Sequence, residues 1–158
     1  MRRSDKQVIE TAVIEAILRE GTVCFLALAD GNSPYVVPLS YGYAGNALYF
    51  HCAPEGMKIN IIRANPSVSF SIVAGHEVLA ADNACSWGAR YRSVTGFGRA
   101  TILSDSAGKE EALRIIIRHY SPGREWSFTE EQMNAVLAIR VDITSTTGKQ
   151  SAMPAASR

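Results

Sequence analysis

Cysteine, histidine and any dominant sign of charge are scarce in this 158-residue chain. It holds three cysteines (Cys24, Cys52, Cys85), three histidines and two tryptophans, with 16 Lys+Arg against 15 Asp+Glu. Widely spaced cysteines without a CxxC pair argue against both a disulfide framework and a structural zinc site. A net charge of +1 argues against holding nucleic acid through a broad basic field. No apolar run approaches the length of a membrane-spanning helix. The basic start, Met1-Arg2-Arg3, is not followed by the apolar segment of a signal peptide. Internal repeats, low-complexity blocks and the GxSxG, HExxH and Walker sequences are missing as well. These absences lead us to expect a reduced, soluble, cytoplasmic protein that engages neither nucleic acid nor membrane.

What remains is a chain 47% hydrophobic and 20% charged, long enough to bury about two-thirds of its unfolded surface. One domain over residues 1–150 is expected, with 151–158 as a loose tail. The first residues read as a helix: Ser4 caps it, Gln7 completes a capping box, and Ile9, Val13, Ala16 and Ile17 recur at helical spacing until Gly21. From Thr22 the period changes. Thr22 to Ala29 is an apolar strand ended by Asp30-Gly31-Asn32, and a second strand runs from Pro34 to Tyr43. Gly45-Asn46 supplies a two-residue hairpin turn into a third strand, Ala47 to Cys52. Gly56 opens a short helix that Asn65-Pro66 must end. Strands follow at Ser67 to Val73, Ala89 to Leu103 and Ala135 to Ile143, with an irregular stretch from Ala74 to Gly88. A helix spans Ala107 to Tyr120, and Thr129 with Gln132 marks a further capped turn. Tight hairpins make antiparallel sheet. About six strands with helices at the edges predict a closed or partly closed antiparallel barrel.

Two stretches carry residues suited to chemistry. At the junction from Leu48-Tyr49-Phe50-His51-Cys52 into Gly56-Met57-Lys58, a helix start offers unpaired amides, and Lys58 adds an ammonium group. Together these suit a phosphate; an ordinary strand-to-helix turn with a solvated lysine is the plainer reading. His51 and Cys52 are adjacent on a strand, so they face opposite ways and cannot share a metal. From Trp87 to Gly98, Arg90 and Arg92 share one strand face while Tyr91 and Ser93 share the other. That pattern fits either a planar anionic ligand or an amphipathic edge strand. Gly96-Phe97-Gly98 lacks the third glycine of a dinucleotide fingerprint and lies inside a strand, where small residues permit close packing.

The order of these pieces resembles the flavin-binding split barrels related to pyridoxamine 5′-phosphate oxidase, within them the nitroimidazole-resistance (Nim) type. The resemblance runs from Met1-Arg2-Arg3 through Tyr35 to Tyr41, Leu48 to Cys52, Gly56 to Lys58, Asn65-Pro66, Tyr91 to Gly96 and Gly98 to Ala100, ending near Thr147-Gly148-Lys149. It implies a homodimer of six-stranded antiparallel split β-barrels with FMN at the interface, heme or a deazaflavin being alternative cofactors. Val37, Pro38, Leu39 and Ser40 would lie along the flavin ring. His51 and Cys52 would approach the ribityl-phosphate, and Lys58 would contact the phosphate. Trp87, Arg92, Ser93 and Val94 would come from the partner chain. The resemblance makes His51 a candidate catalytic residue in the two-electron reduction of a small acceptor such as a nitroaromatic; a hydrogen-bonded barrel histidine is the alternative. A non-catalytic flavin or heme carrier is the rival function. Departures also show. Tyr35 and Ser40 stand where the oxidases carry an arginine and a lysine, Met57 precedes Lys58 where they carry a further cation, and no arginine-rich C-terminal segment is present. Pyridoxamine phosphate oxidation is therefore not expected.

Overall fold

The computed structural model describes residues 6–151. Elements run β1 (Gln7–Val8), α1 (Thr11–Glu20), β2 (Cys24–Asp30), β3 (Ser33–Leu39), β4 (Gly42–Ala44), β5 (Ala47–Cys52), α2 (Met57–Ala64), β6 (Ser67–Leu79), β7 (Gly88–Leu103), α3 (Ser106–Tyr120), α4 (Glu130–Asn134) and β8 (Leu137–Gln150). Every pairing is antiparallel, and the sheet follows the order β3-β2-β6-β7-β8-β5-β4, with β1 added beside β8. The two ends of that path, β3 and β4, are separated in the chain by Ser40 and Tyr41 alone. The chain thus steps from one sheet edge to the other, and the barrel is split along that seam rather than closed by a ladder.

Several expectations hold. Gly45 and Asn46 both take positive φ (56° and 58°) between the paired Ala44 and Ala47, as a two-residue hairpin of this twist requires. Thr129 and Gln132 form a reciprocal capping box. The glycines of β7 make room. A Cβ at Gly96 would lie 2.4 Å from the Phe70 ring, and one at Gly98 would lie 2.6 Å from Val141.

Others are corrected. Gln7 is no capping residue: it lies in β1, paired with Lys149, and Val8 packs over Gly148, where a Cβ would meet it at 2.8 Å. Helix α1 therefore starts only at Thr11, after an N-cap Glu10 that makes no side-chain cap bond, and Ile9 is exposed. Pairing with a distant strand outweighs a local capping pattern. The expected Ser4 cap lies outside the described residues. The single strand expected over Pro34 to Tyr43 breaks at the seam into β3 and β4. Strand β6 continues to Leu79 through a bulge between Val73 and His76, and β8 continues to Gln150. The hydroxyl-rich Thr144 to Thr147 hides that extension from an apolar pattern, while pairing with β7 enforces it. Of the expected tail, Ser151 is buried and tied to Tyr91 by two hydrogen bonds; residues 152–158 lie outside the described residues.

The barrel interior is filled by Leu26, Leu28, Leu48, Phe50, Phe70, Ile72, Val94, Ile139 and Val141. Helix α1 packs against β4, β6, β7 and β8 and lays Ile14, Ile17 and Leu18 into this core; α2 packs on β2 with Ile59, Ile61 and Ile62. A second cluster joins Ala112, Ile115 and Ile116 of α3 to Ala47, Tyr49 and Ala138. Tyr41, fully buried, ties the seam. Its Oη donates to the Leu18 carbonyl (2.6 Å), and its N–H donates to Tyr120 Oη (2.9 Å), which in turn donates to the Thr22 carbonyl (2.7 Å). His119 Nε2 donates to the Gly21 carbonyl (2.7 Å), its ring 4.7 Å from that of Tyr41.

Tyr41→Phe is expected to lower stability by about 1–2 kcal/mol, because it leaves a buried carbonyl without its donor. Denaturant titration of wild type and variant measures the difference. A second outcome concerns pH. Burial pushes the Cys24 thiol from 9.0 up to about 12, and burial also raises the Tyr41 and Cys52 acids. All three groups are neutral in the fold at pH values where the unfolded chain ionises. Folding stability should therefore be full below pH 9.0 and decline as pH rises towards about 12. Denaturation curves across that window should show a shallower decline in Cys24→Ala.

Candidate functional site

Strand β5 ends in a side-chain alternation that splits its last two residues. Phe50 points into the barrel, His51 is exposed on the outer face, and Cys52 turns back, half-buried against the core. The turn through Pro54, Glu55 and Gly56 then reverses the chain. Gly56 sits at φ 134°, ψ 168°, a conformation open only to glycine at low cost. Helix α2 starts directly after it with no side-chain cap. The Ile59 and Asn60 amides are satisfied by the Gly56 carbonyl (3.0 and 3.2 Å), while the Met57 and Lys58 amides, at the positive end of the helix dipole, have no helix carbonyl ahead of them. Ile59, Ile61 and Ile62 are buried, so this helix start is fixed to the barrel.

Lys58, half-buried, belongs to the same corner. Burial raises the Cys52 thiol above its ordinary value, and the nearby Lys58 ammonium partly offsets that rise. The structure thus brings Cys52 and Lys58 together, with His51 on the opposite face of the same strand. Glu55 is the acid in this turn and is exposed. Among the described residues no three His, Cys, Asp or Glu side chains gather as a ligand set for a metal ion.

Strand β3 is an edge. Pro34 and Pro38 sit in it opposite Ala29 and Phe25, positions an edge strand tolerates because no ladder bond beyond it is lost. Val37 and Leu39 pack inward on the core, whereas Val36, Pro38 and Ser40 are exposed. On the outer face one cross-strand row runs Pro38, Phe25, Ser71, Thr95, and the next runs Val36, Ala27, Ser69, Phe97. Phe25, Val36 and Phe97 are 44%, 57% and 59% exposed there. These outward apolar positions are not among the residues that sequence patterns single out. For Phe25 the signal is the apolar run from Thr22 to Ala29, which suits a strand covered on both faces.

The β7 candidates lie apart from the corner, with β8 between β7 and β5, and β6 and β2 between β7 and β3. Val94 is wholly inside the barrel, so its side chain meets no ligand from outside. Ser93 faces outward, with its Oγ 3.5 Å from the Lys149 carbonyl. Arg92 pairs with Glu20 at the end of α1, and its buried Nε has no partner among the described residues. Trp87, 55% exposed, follows a 3₁₀ turn at Ala84–Ser86, its Nε1 donating to the Ala81 carbonyl at 2.8 Å. Arg90 pairs with Glu77 across the strands at 3.0 Å. His119, a helix-end residue by its sequence position, is part of the seam.

The pyridoxamine 5′-phosphate oxidase family matches residues 10–150. A crystal structure of a Bacteroides thetaiotaomicron VPI-5482 protein named for 5-nitroimidazole antibiotic resistance superposes with a TM-score of 0.80. It is 31% identical and covers 90% of this chain and 85% of that one. The FAD and heme binding protein of Mycobacterium smegmatis shares the fold at a TM-score of 0.83 and 24% identity, over 94% of this chain and 74% of that one. "Uncharacterized protein RA0666" of Rhizobium meliloti (strain 1021) is 35% identical over 66 residues, 42% of this chain. That match spans 43% of the relative's length.

Thiol labelling reads the corner directly. Cys85 is exposed, Cys52 half-buried and Cys24 buried. An alkylating reagent near neutral pH should therefore modify Cys85 first, Cys52 slowly and Cys24 only on unfolding. Lys58→Ala should slow Cys52 severalfold and leave Cys85 unchanged, because removing the ammonium raises the thiol further and lowers its thiolate fraction. Mass spectrometry of timed samples gives the three rates.

Proposed function

The chain belongs to the pyridoxamine 5′-phosphate oxidase family of flavin-binding split barrels, and on that premise we propose that it is an FMN-binding oxidoreductase that reduces a small acceptor such as a nitroaromatic. The observation that carries this reading is the β5–α2 corner, where a glycine at φ 134° opens an uncapped helix start beside the half-buried Lys58. First-turn amides, the positive end of a helix dipole and one ammonium group fit a phosphate dianion. The turn's carboxylate, Glu55, is exposed. The 31% identity to a protein named for nitroimidazole resistance favours the nitroaromatic class.

In this reading Lys58 and the first-turn amides hold the phosphate, and the exposed edge at Pro38 and Ser40 lies along the ring. The flavin supplies the two-electron redox chemistry when bound. His51, exposed on the outer face at the end of β5, is the candidate to hold or deliver a proton in this reading. The exposed rows carrying Phe25, Val36 and Phe97 suit a second copy of this chain. That copy would cover the apolar face and bring Trp87, Arg92 and Ser93 to the other subunit's cofactor.

An absorption spectrum with mass analysis of the ligand released on denaturation tests the cofactor. A yellow protein that releases FMN is expected. Lys58→Ala should weaken FMN binding by about tenfold or more, the loss of one charge-assisted contact worth roughly 1.5–3 kcal/mol. Protein that stays colourless after added FMN would overturn the reading. A Soret band lost in His51→Ala would point to a heme carrier instead. Bound FMN without nicotinamide-driven reduction of any acceptor would leave a flavin carrier.

A further inference from the structure

Two adjoining cavities lie at the C-terminal end of α3, beside the β4–β5 hairpin and therefore at the opposite end of β5 from Cys52. The first, of about 260 Å³, is lined by Arg114, Ile117, Arg118, Arg124, Glu125 and Trp126. The second, of about 370 Å³, is lined by Arg19, Tyr43, Ile115 and Pro122 and shares Arg118 with the first. Two of these guanidinium groups are already committed. Arg114 donates through Nε and Nη2 to Glu110 (3.2 and 2.6 Å), and Arg19 pairs with Glu15 at 3.5 Å. Among the described residues Arg118 and Arg124 form no ion pair.

The helix dipole accounts for a cation at Arg118, which lies in the last turn of α3. It does not account for Arg124, which lies beyond the helix. Gly123, at φ 82°, turns the chain there, and the Arg124 guanidinium lies 3.8 Å over the Trp126 ring. Stacking occupies the face of the guanidinium and leaves its edge, with the fork of N–H donors, open to a planar oxyanion. A second fork, from Arg118, lines the same space. Ile117 and the indole supply apolar wall there, and Tyr43, Ile115 and Pro122 continue it beyond Arg118.

We propose that this groove is a second ligand site, separate from the β5–α2 corner, that binds a small organic monocarboxylate with an apolar or aromatic body. The charge balance selects the class. Glu110 pairs with Arg114, and Glu125 lines the cavity without pairing with Arg118 or Arg124, so its carboxylate offsets one of their two charges by proximity alone. One negative charge is therefore matched and two are not, so a carboxylate suits the groove better than a phosphate dianion. The apolar walls favour a body larger than that of acetate.

Trp126 reports on the site once the other tryptophan is removed by Trp87→Phe. In that background, titration with benzoate at constant ionic strength should give a saturable change in tryptophan emission. Benzyl alcohol, which keeps the ring and lacks the charge, should give none, and inorganic phosphate should compete poorly. Arg118→Gln and Arg124→Gln should each weaken benzoate binding tenfold or more, with unchanged thermal unfolding and unshifted absorption of any bound cofactor. If emission is silent, ¹⁵N spectra of the arginine Nε–H groups replace it, and Arg118 and Arg124 should shift with benzoate. A response that never saturates, equal binding of benzyl alcohol, or full binding in the double variant would overturn the proposal. So would ¹⁵N spectra in which neither arginine moves.

Discussion

The hydrogen-bonded knot at Tyr41 is the contact on which the rest of the structure depends. Strands β3 and β4 are consecutive in the chain and lie at opposite ends of the sheet path, so no ladder joins them. Side chains do that work instead. Tyr41 reaches the last turn of α1, Tyr120 bridges the Tyr41 amide to the Thr22 carbonyl, and His119 closes on Gly21. The link draws α1, the start of β2, the seam and the end of α3 into one network. Space there is tight: a Cβ at Gly21 would lie 2.3 Å from Ile72 and 2.9 Å from Tyr41 Oη, and one at Gly42 would lie 2.7 Å from the Ile115 backbone. Tyr41 is fully buried, and a polar group so buried is stabilising only when its partner is present, which makes Tyr41 the sensitive position of the seam.

A split barrel also leaves its surfaces unequal. Helix α3 covers the outer face of β4, β5 and β8 and forms its own small core there. The outer face of β3, β2, β6 and β7 keeps Phe25, Val36, Val73 and Phe97 exposed among serine and threonine hydroxyls. Lone exposed apolar residues are ordinary; here four stand on one sheet face, the face that the proposed second copy would cover. The candidate cofactor corner and this face are both positioned by the short passage from β3 to α2, so packing at the seam and chemistry at the corner share one segment of chain.

Local patterns make several elements legible in the order of residues itself. The Gly45-Asn46 turn, the capping box at Thr129 and the proline stop after α2 depend on residues within four positions of each other, and all three are found. The glycines of β7 are readable as space for close packing, though not that Phe70 and Val141 fill it. The corner at Gly56 and Lys58 is legible in the same way, because a strand end, a glycine and a helix start are contiguous. Local patterns fail where distant partners decide. Gln7 and Val8 become a strand because Lys149 and Gly148 lie beside them, and Thr144 to Thr147 stay extended because β7 holds them.

From its residues alone this chain determined an antiparallel sheet with flanking helices, the hairpin turns that order it, and a strand-to-helix junction after its central hairpin. Those properties follow from backbone preference and side-chain period, which act over a few residues. Tertiary structure alone decided where the barrel splits, which face of each strand stays uncovered, and which arginines keep a free edge. Each of these is settled by atoms far apart in the chain or brought together by a turn: Tyr41 meeting Tyr120, Phe25 aligned with Pro38 and Ser71, Arg124 laid over Trp126. No local pattern encodes the first two meetings, because their energy arises only when the whole sheet has curled; the third rests on the turn at Gly123.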